Sequence, residues 1–184
     1  AGFIGGDPNP AGPEIQIDGS RLGAGGDGLI VEGAKVTIQG LSITGFEHYG
    51  IWVQGPDNRV LTNTVGLDPL SNPAGNGIGV VLSENASHNL VRGNVISGNG
   101  QHGLLIAGPG SVANRIERNI IGLDPTGGEV RRPNHGWGIV IQDGAHANQI
   151  GPPGNVVSGN DSGGIWVTGA GTDQNSIRGN FIGT

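Results

Sequence analysis

The sequence predicts an all-β solenoid, a parallel β-helix in which each coil contains three very short strands. An aliphatic phrase that begins with glycine recurs along the chain, and a phrase with two asparagines follows nearly every copy of it. No segment carries the period of an amphipathic helix. A unit this short cannot bury its apolar face alone, but stacked copies can bury it against one another. We expect about six coils, each advancing the stack by about 4.8 Å, the spacing of paired strands.

The first phrase predicts which residues face the core. It has the form G-[IL]-x-[IV] and occurs as GLIV (28–31), GIWV (50–53), GIGV (77–80), GLLI (103–106), GIVI (138–141) and GIWV (164–167). Side chains alternate between the two faces of a strand, so Ile51 and Val53 share one face and Trp52 takes the other. The same alternation predicts these inward residues: Ile51, Val53, Ile78, Val80, Leu104, Ile106, Ile139, Ile141, Ile165 and Val167.

The second phrase, N-x-[IV]-x-x-N-x-[IV], places asparagine at two corners of each coil. The pairs are Asn58/Asn63, Asn89/Asn94, Asn114/Asn119, Asn148/Asn155 and Asn175/Asn180. Asparagine tolerates the left-handed backbone of tight corners, and stacked amides can bond to each other, so we predict two asparagine ladders. The residues predicted for the third corner alternate between acid and amide: Asp68, Asn99, Asp124 and Asn160. Three apolar residues hold the corner slots of the first full coil and should form a stack before the ladders begin: Val36, Leu41 and Phe46.

The chain is interpreted as one β-helix domain, 1–184, excised from a longer array of repeats. The N-terminal FIGGDPNPAG (3–12) resembles an internal corner, and the C-terminal NSIRGNFIGT (175–184) resembles an internal coil. Ile177, Phe181 and Ile182 would then face a coil that this sequence lacks. Exposed apolar strand edges invite pairing, so we expect end-to-end self-association through the last coil.

The composition excludes several classes of site and partner. The chain has no Cys, which rules out a disulfide framework and a cysteine-ligated metal site. The net charge is -6, and the sequence contains no run of basic residues, so we expect no binding to nucleic acid or to an anionic membrane surface. No apolar run approaches the roughly 18 residues of a membrane span, so we expect no membrane insertion.

Several segments together resemble a known family. They are EIQIDGS (14–20), GLIVEGAKVTIQGLSITGF (28–46), NVISGN (94–99) and IGLDPTG (121–127). They are similar to the right-handed parallel β-helix repeat proteins of the pectin-lyase-like superfamily, and in particular to the N-x-I-x-G-N-x-I-G-T-D arrays of large secreted or surface-attached bacterial proteins. The resemblance covers nearly the whole chain and implies a single-stranded right-handed β-helix in a secreted or cell-surface protein. It leaves the activity open, because the superfamily includes polysaccharide lyases, hydrolases and epimerases and one fold hosts many functions.

The outward positions of the predicted strands contain no pair of acids. Glycoside hydrolysis needs two carboxylates about 5–10 Å apart, which here means acids in neighbouring coils of one outward column. The column after each phrase contains Glu32, Gln54, Val81, Ala107, Gln142 and Thr168, and the middle column contains Ile30, Trp52, Gly79, Leu105, Val140 and Trp166. Asp68 and Asp124 precede proline in corners and are interpreted as turn residues.

We therefore predict no catalytic residue, no cofactor and no metal site. For calcium the one hint is GAGGDGLIV (23–31), a single partial match to a calcium-binding repeat. Three histidines, with two acids as potential neighbours, could form a cluster at one edge of the coils, although such loop residues are usually solvated: His48, His102, His135, Glu47 and Asp161. Arg92 and Glu117 occupy equivalent outward slots of adjacent coils and are expected to pair.

Four aromatic residues form the candidate binding site. Tyr49, Trp52, Trp137 and Trp166 fall at or just before the first strand of a coil. Exposed apolar strips mark interaction sites, and aromatic rings suit sugar faces, so this flank is a candidate polysaccharide-binding surface. The alternative is that the long loops at 68–76 and 124–137 fold over the flank and cover it.

Two functions remain open at this point. The first is a non-catalytic structural or display module that contacts polysaccharide through its aromatic flank. The second is a carbohydrate-active enzyme of lyase, hydrolase or epimerase type, with its site in the long loops or in coils outside this sequence. The missing acid column favours the first.

Overall fold

The strands form a stack of coils. The computed structural model describes residue 13 and residues 15–128 and 130–183. The strands in chain order are β1 Ile15–Asp18, β2 Leu29–Val31, β3 Thr37–Gln39, β4 Leu41–Thr44, β5 Tyr49–Val53, β6 Arg59–Leu61, β7 Thr64–Val65, β8 Ile78–Leu82, β9 Leu90–Arg92, β10 Val95–Ile96, β11 Leu104–Ala107, β12 Arg115–Glu117, β13 Ile120–Ile121, β14 Trp137–Gln142, β15 Gln149–Ile150, β16 Val156–Ser158, β17 Gly163–Val167, β18 Ser176–Ile177 and β19 Phe181–Gly183. All of them are short, and the described residues contain no helix.

Three parallel sheets run along the stack. Sheet A has the order β1-β4-β7-β10-β13-β16-β19, sheet B has the order β17-β14-β11-β8-β5-β2, and sheet C has the order β18-β15-β12-β9-β6-β3. After β1, the chain visits B, C and A in turn and then climbs to the next coil, which gives six coils. The predicted all-β parallel solenoid is therefore confirmed.

Aliphatic side chains from all three sheets fill the interior. Ile51, Leu104, Ile106 and Ile139 are fully buried in one continuous core cluster. The last coil differs, because within residues 15–183 no further coil stacks on it: Ile165 is only partly buried, and the inward-facing Val167 is 41% exposed. Burying one such side chain stabilises the fold by about 1.5–3 kcal/mol before conformational entropy is counted.

The predicted register was wrong in the third coil. Val80 pairs with Ile51, and Leu82 pairs with Val53, so the equivalent phrase is GVVL (79–82) rather than GIGV. Ile78 instead pairs with Tyr49 and lies outside the core cluster, although it is buried. The sequence offers two glycines, and the structure uses Gly79, where a Cβ would lie 2.6 Å from Ile96 in the core.

This shift also corrects the outward columns. Val81, not Gly79, follows Trp52 in the middle column, and Ser83, not Val81, follows Gln54 in the next column.

The two predicted asparagine ladders are confirmed. They contain Asn58, Asn89, Asn114, Asn148 and Asn175 at the corner between sheets B and C, and Asn63, Asn94, Asn119, Asn155 and Asn180 at the corner between sheets C and A. The Oδ1 of each upper asparagine accepts the backbone N–H of the asparagine one coil below. At most steps it also accepts the amide N–H of that residue.

The third corner has a ladder of its own, which the sequence interpretation misassigned. It contains Asn76, Asn99, Asn134 and Asn160 rather than an alternation of acid and amide. Asp68 and Asp124 instead begin the long loops. Asp68 Oδ1 accepts the backbone N–H groups of Leu70 and Asn72, and Asp124 Oδ1 accepts that of Thr126, which confirms that both acids are turn residues.

The ladders begin one coil above the apolar slots, as predicted. The backbone N–H groups of Val36, Leu41 and Phe46 donate to the Oδ1 atoms of the first asparagine in each ladder. Phe46 is buried, Leu41 is half-buried and Val36 is exposed, so only part of this apolar layer is covered.

Candidate functional site

The four predicted aromatic residues lie on the outward face of sheet B. Trp52 and Trp166 belong to one column, which also contains Ile30, Val81, Leu105 and Val140. Tyr49 and Trp137 also face outward, in the neighbouring column. They do so because the residues that follow them, Gly50 and Gly138, face the core at the start of their strands. We call Tyr49, Trp52, Trp137 and Trp166 the aromatic flank.

Tyr49 and Trp52 form the first aromatic pair. Their ring centroids are 5.3 Å apart, and the rings meet edge to face at 75°. The indole Nε1–H of Trp52 donates to Ser83 Oγ at 2.7 Å, so the indole reaches toward the next coil. This position accounts for the burial of Val81, which faces outward yet is almost inaccessible.

Trp137 and Trp166 form the second pair. Their centroids are 5.7 Å apart, and the ring planes are stacked at 27°. Gly163 makes room for this stack, because a Cβ there would lie 2.6 Å from the Trp137 ring. Val140 is fully buried outside the core cluster, and Trp166 is 42% exposed. The pair therefore covers an apolar patch and leaves an indole accessible to solvent.

The structure brings the rings together within each pair but keeps the pairs apart. Trp52 and Trp166 are separated by four strand steps, about 19 Å at the usual strand spacing. Leu105, which is half-buried, lies between them in the same column. The flank is therefore an apolar strip along the axis with an aromatic pair toward each end.

The long loops make their hydrogen bonds on another side of the coil. Each begins with a short antiparallel bridge, Leu67 with Pro73 and Leu123 with Arg131. Arg132 Nε donates to the carbonyl oxygen of Ser71 at 2.9 Å, so the upper loop contacts the lower one. The lower loop also borders an open cleft of about 630 Å³ whose other wall comes from sheet A. These contacts place the loops over the corner beside sheet A.

His102 supports the second aromatic pair. Its Nδ1 accepts the backbone N–H of Trp137 at 3.0 Å. Burial lowers the pKa of His102, because a desolvated imidazole disfavours its charged form. The neutral ring is also the form that can accept this hydrogen bond at Nδ1.

Of the suggested histidine cluster, the structure brings His135 and Asp161 together. His135 Nδ1 lies 2.8 Å from Asp161 Oδ2, and Arg131 Nη2 lies 3.3 Å from Asp161 Oδ1. All three side chains are exposed. Glu47 belongs to a corner near the other end of the stack, where it accepts the backbone N–H of Gly25. In the described part of the chain no group of three or more His, Cys, Asp or Glu residues could hold a metal ion.

The expected pairing of Arg92 with Glu117 is confirmed, and it reveals a surface that the sequence interpretation missed. The two residues are opposite each other in adjacent strands of sheet C, 3.9 Å apart, and Arg115 also pairs with Glu117, at 3.2 Å. The basic residues are scattered in sequence but gather on the outward face of sheet C. The alternation of side chains along each strand could have predicted this surface. Arginine is next to the inward aliphatic residue, and therefore faces outward, in NRV (58–60), LVR (90–92) and NRI (114–116).

The comparisons identify the family and no individual relative. The family model described as "Right handed beta helix region" matches residues 11–182. No curated protein and no solved structure matched the chain. The described residues include no apolar helix long enough to cross a bilayer. A match over nearly the whole chain, together with the observed three-sheet solenoid, shows that the chain belongs to the right-handed β-helix family.

Proposed function

We propose that the chain is a non-catalytic structural module, a rigid rod that spaces or displays other parts of a secreted or cell-surface bacterial protein, and that its aromatic flank contacts polysaccharide. The observation that carries the structural part is the continuity of the three asparagine ladders from the second coil upward. The secreted or surface location rests on the resemblance of the repeat to such arrays.

The ladders support rigidity because they tie each coil to its neighbours at three separate corners. Every buried side-chain nitrogen or oxygen in the described residues has a hydrogen-bond partner. Sliding or tilting one coil would leave buried amides without partners, which costs about 1–3 kcal/mol for each group. Six coils at the usual strand spacing give a rod about 29 Å long.

The rigidity can be measured with spin labels at the two ends of the stack. The chain has no cysteine, so Ala24→Cys and Ala170→Cys, both in exposed turns, provide two unique labelling sites. We expect a single narrow distribution of label distances. A broad distribution, with both single-label controls normally folded, would contradict the rod.

The polysaccharide contact is supported by the geometry of the second aromatic pair. The two indoles are stacked on each other, and Trp166 is 42% exposed, so the pair leaves aromatic surface open to solvent. Flat aromatic faces suit the C–H faces of sugar rings. The strip runs along the axis of the stack, which suits a linear polymer better than a small sugar.

The binding test compares two variants with the unchanged chain on a panel of neutral and acidic polysaccharides. Trp137→Ala/Trp166→Ala should lose binding, whereas Leu70→Ala, which removes an apolar residue that is 75% exposed in a long loop, should not. Equal binding by all three proteins would contradict a role for the flank. The same polymers should show no release of unsaturated or reducing sugar. Release by the unchanged chain would instead favour the carbohydrate-active enzyme.

A further inference from the structure

We propose that the outward face of sheet C is a second, separate binding surface, which takes a polysaccharide bearing carboxylate or sulfate groups. We call this surface the basic face, and define it by Lys35, Arg59, Arg92, Arg115 and Arg118. All five side chains are exposed. The chain has nine Lys and Arg residues in all and a net charge of -6, so most of its cations lie on one side of an acidic protein.

Strand register brings these cations together. Arg59 and Arg115 lie in one outward column with Leu90 between them, which separates them by about 10 Å at the usual strand spacing. Arg92 lies in the other outward column, opposite Glu117. Lys35 and Arg118 occupy the corners that border the sheet, in the first and fourth coils. The positive charge therefore extends over about three strand steps, roughly 14 Å along the axis.

Two carboxylates, Glu117 and Asp57, adjoin these cations in the described strands and clefts, and Glu117 positions an arginine. Glu117 is 3% exposed and pairs with both Arg92 and Arg115, whose side chains remain 44% and 55% exposed. Glu117 Oε2 accepts a hydrogen bond from Arg115 Nη2 at 3.2 Å, so the buried acid positions this guanidinium group before a ligand arrives, whereas Arg92 at 3.9 Å makes a longer ionic contact. The other carboxylate, Asp57, lies on a corner beside Arg59 and is exposed.

The face also has the shape of a binding surface. Two open clefts, of about 490 and 420 Å³, share Arg59 and Leu90 as lining residues. The first extends to Lys35 and Arg115, and the second to Arg92 and Arg118. Arg59 thus stands between two adjoining depressions, each with cations on more than one side.

The chemistry favours an anionic polysaccharide over other polyanions. The arginine fork binds planar carboxylate and also sulfate oxygens through two parallel hydrogen bonds. Cations repeated along the axis suit a polymer whose charges repeat, rather than one small anion. Proteins that bind single-stranded nucleic acid commonly stack its bases on Phe, Tyr or Trp, and the strands of sheet C contain none of these residues. Half-buried Leu61 and Leu90 lie between the cations and suit the apolar faces of sugar rings.

The test uses polygalacturonate as the carboxylate polymer, dextran sulfate as the sulfate polymer and dextran as the uncharged control. The face variant is Arg59→Gln/Arg115→Gln. The matched control is Arg21→Gln/Arg131→Gln, which removes the same charge from exposed positions elsewhere. The unchanged chain should bind at least one of the two acidic polymers and should not bind dextran. The face variant should bind about tenfold more weakly, and the control should stay within about twofold. Binding should also weaken strongly between about 50 and 300 mM salt.

Each result supports or overturns the proposal. Binding to only one of the two acidic polymers assigns the anionic group. No binding to either polymer, or an equal loss in the control variant, overturns the proposal. Tighter binding of duplex DNA or of phosphatidylserine vesicles through the same arginines overturns the assignment to polysaccharide. Trp137→Ala/Trp166→Ala should retain binding to the acidic polymers. The two proposals, for the basic face and for the aromatic flank, can therefore be overturned separately.

Discussion

Replacing Asn119 by alanine tests the ladder most directly, because Asn119 lies in a central coil and is almost fully buried. Its Oδ1 accepts the backbone N–H and the amide N–H of Asn94, at 2.9 and 3.0 Å. Its Nδ2 donates to the Val91 carbonyl and to Asn155 Oδ1, both at 2.9 Å. Asn119→Ala therefore removes four hydrogen bonds and leaves the buried backbone N–H of Asn94 without its partner.

The magnitude follows from the groups that lose their partners. An unsatisfied buried polar group costs about 1–3 kcal/mol, and the Asn94 N–H and the Val91 carbonyl are both affected, so we expect a loss of about 3 kcal/mol. For a chain of this size that lowers the melting temperature by about 6–12 °C. The matched control is Asn72→Ala. It removes one exposed hydrogen bond, from Asn72 Nδ2 to Asp68 Oδ2, and should cost no more than about 0.5 kcal/mol.

The assay is urea unfolding of both variants, followed by amide exchange in the central coils. Asn119→Ala should lower the unfolding midpoint and speed exchange at the Asn94 amide, whereas Asn72→Ala should change neither. Equal midpoints for the two variants would mean that Asn119 is only a solvated turn residue. The reasoning about all three ladders would then be wrong.

Three further predictions concern the core, one histidine and the last coil. Ile106→Ala should destabilise the chain by about 2–5 kcal/mol in urea unfolding, against less for the outward Leu105→Ala; a loss below about 1 kcal/mol would refute the inward register. Burial lowers the pKa of His102 in the folded state, so the unfolded chain binds the proton more readily and stability should fall as pH drops below about 6.5. His102→Gln should lack this part of the loss in melts across the pH range. Sedimentation should show concentration-dependent association that Ile177→Lys/Ile182→Lys abolishes; monomers at all concentrations for both proteins would refute end-to-end contact through these exposed side chains.

The inward half of this fold could be predicted because burial constrains it. A residue such as Ile106 must be aliphatic and must recur in the same position of the next coil, and corner asparagines must recur for the same reason. The two errors arose where the chain departs from equal coil lengths. Gly77 and Gly79 both begin a plausible phrase, and only the stacked structure shows which of them adjoins the core.

The prediction for the third corner was wrong for a related reason. Asp68 follows its strand at the place where Asn99 follows the equivalent strand one coil later, so sequence position alone equates them. In the structure the chain leaves the coil at Asp68 and returns with Asn76, which then accepts the backbone N–H of Phe46. A long loop can be inserted without disturbing the ladder, because loop length costs little free energy once both ends are held in place.

Outward residues are free of these constraints, and that freedom explains why the sequence signals function so weakly here. An outward side chain has to satisfy only its neighbours one coil above and below, so aromatic, cationic and polar residues can alternate in one column. Composition counts such residues over the whole chain. Nine Lys and Arg residues against fifteen Asp and Glu residues suggest an acidic protein with no basic site. Strand register sorts the same residues by face, and it places the exposed arginines of NRV, LVR and NRI on sheet C and the tryptophans on sheet B. In a solenoid the outward side chains are therefore grouped by column rather than by sequence motif. A column also runs parallel to the axis, so residues of one kind, such as Arg59 and Arg115 or Trp52 and Trp166, recur in it at multiples of the strand spacing.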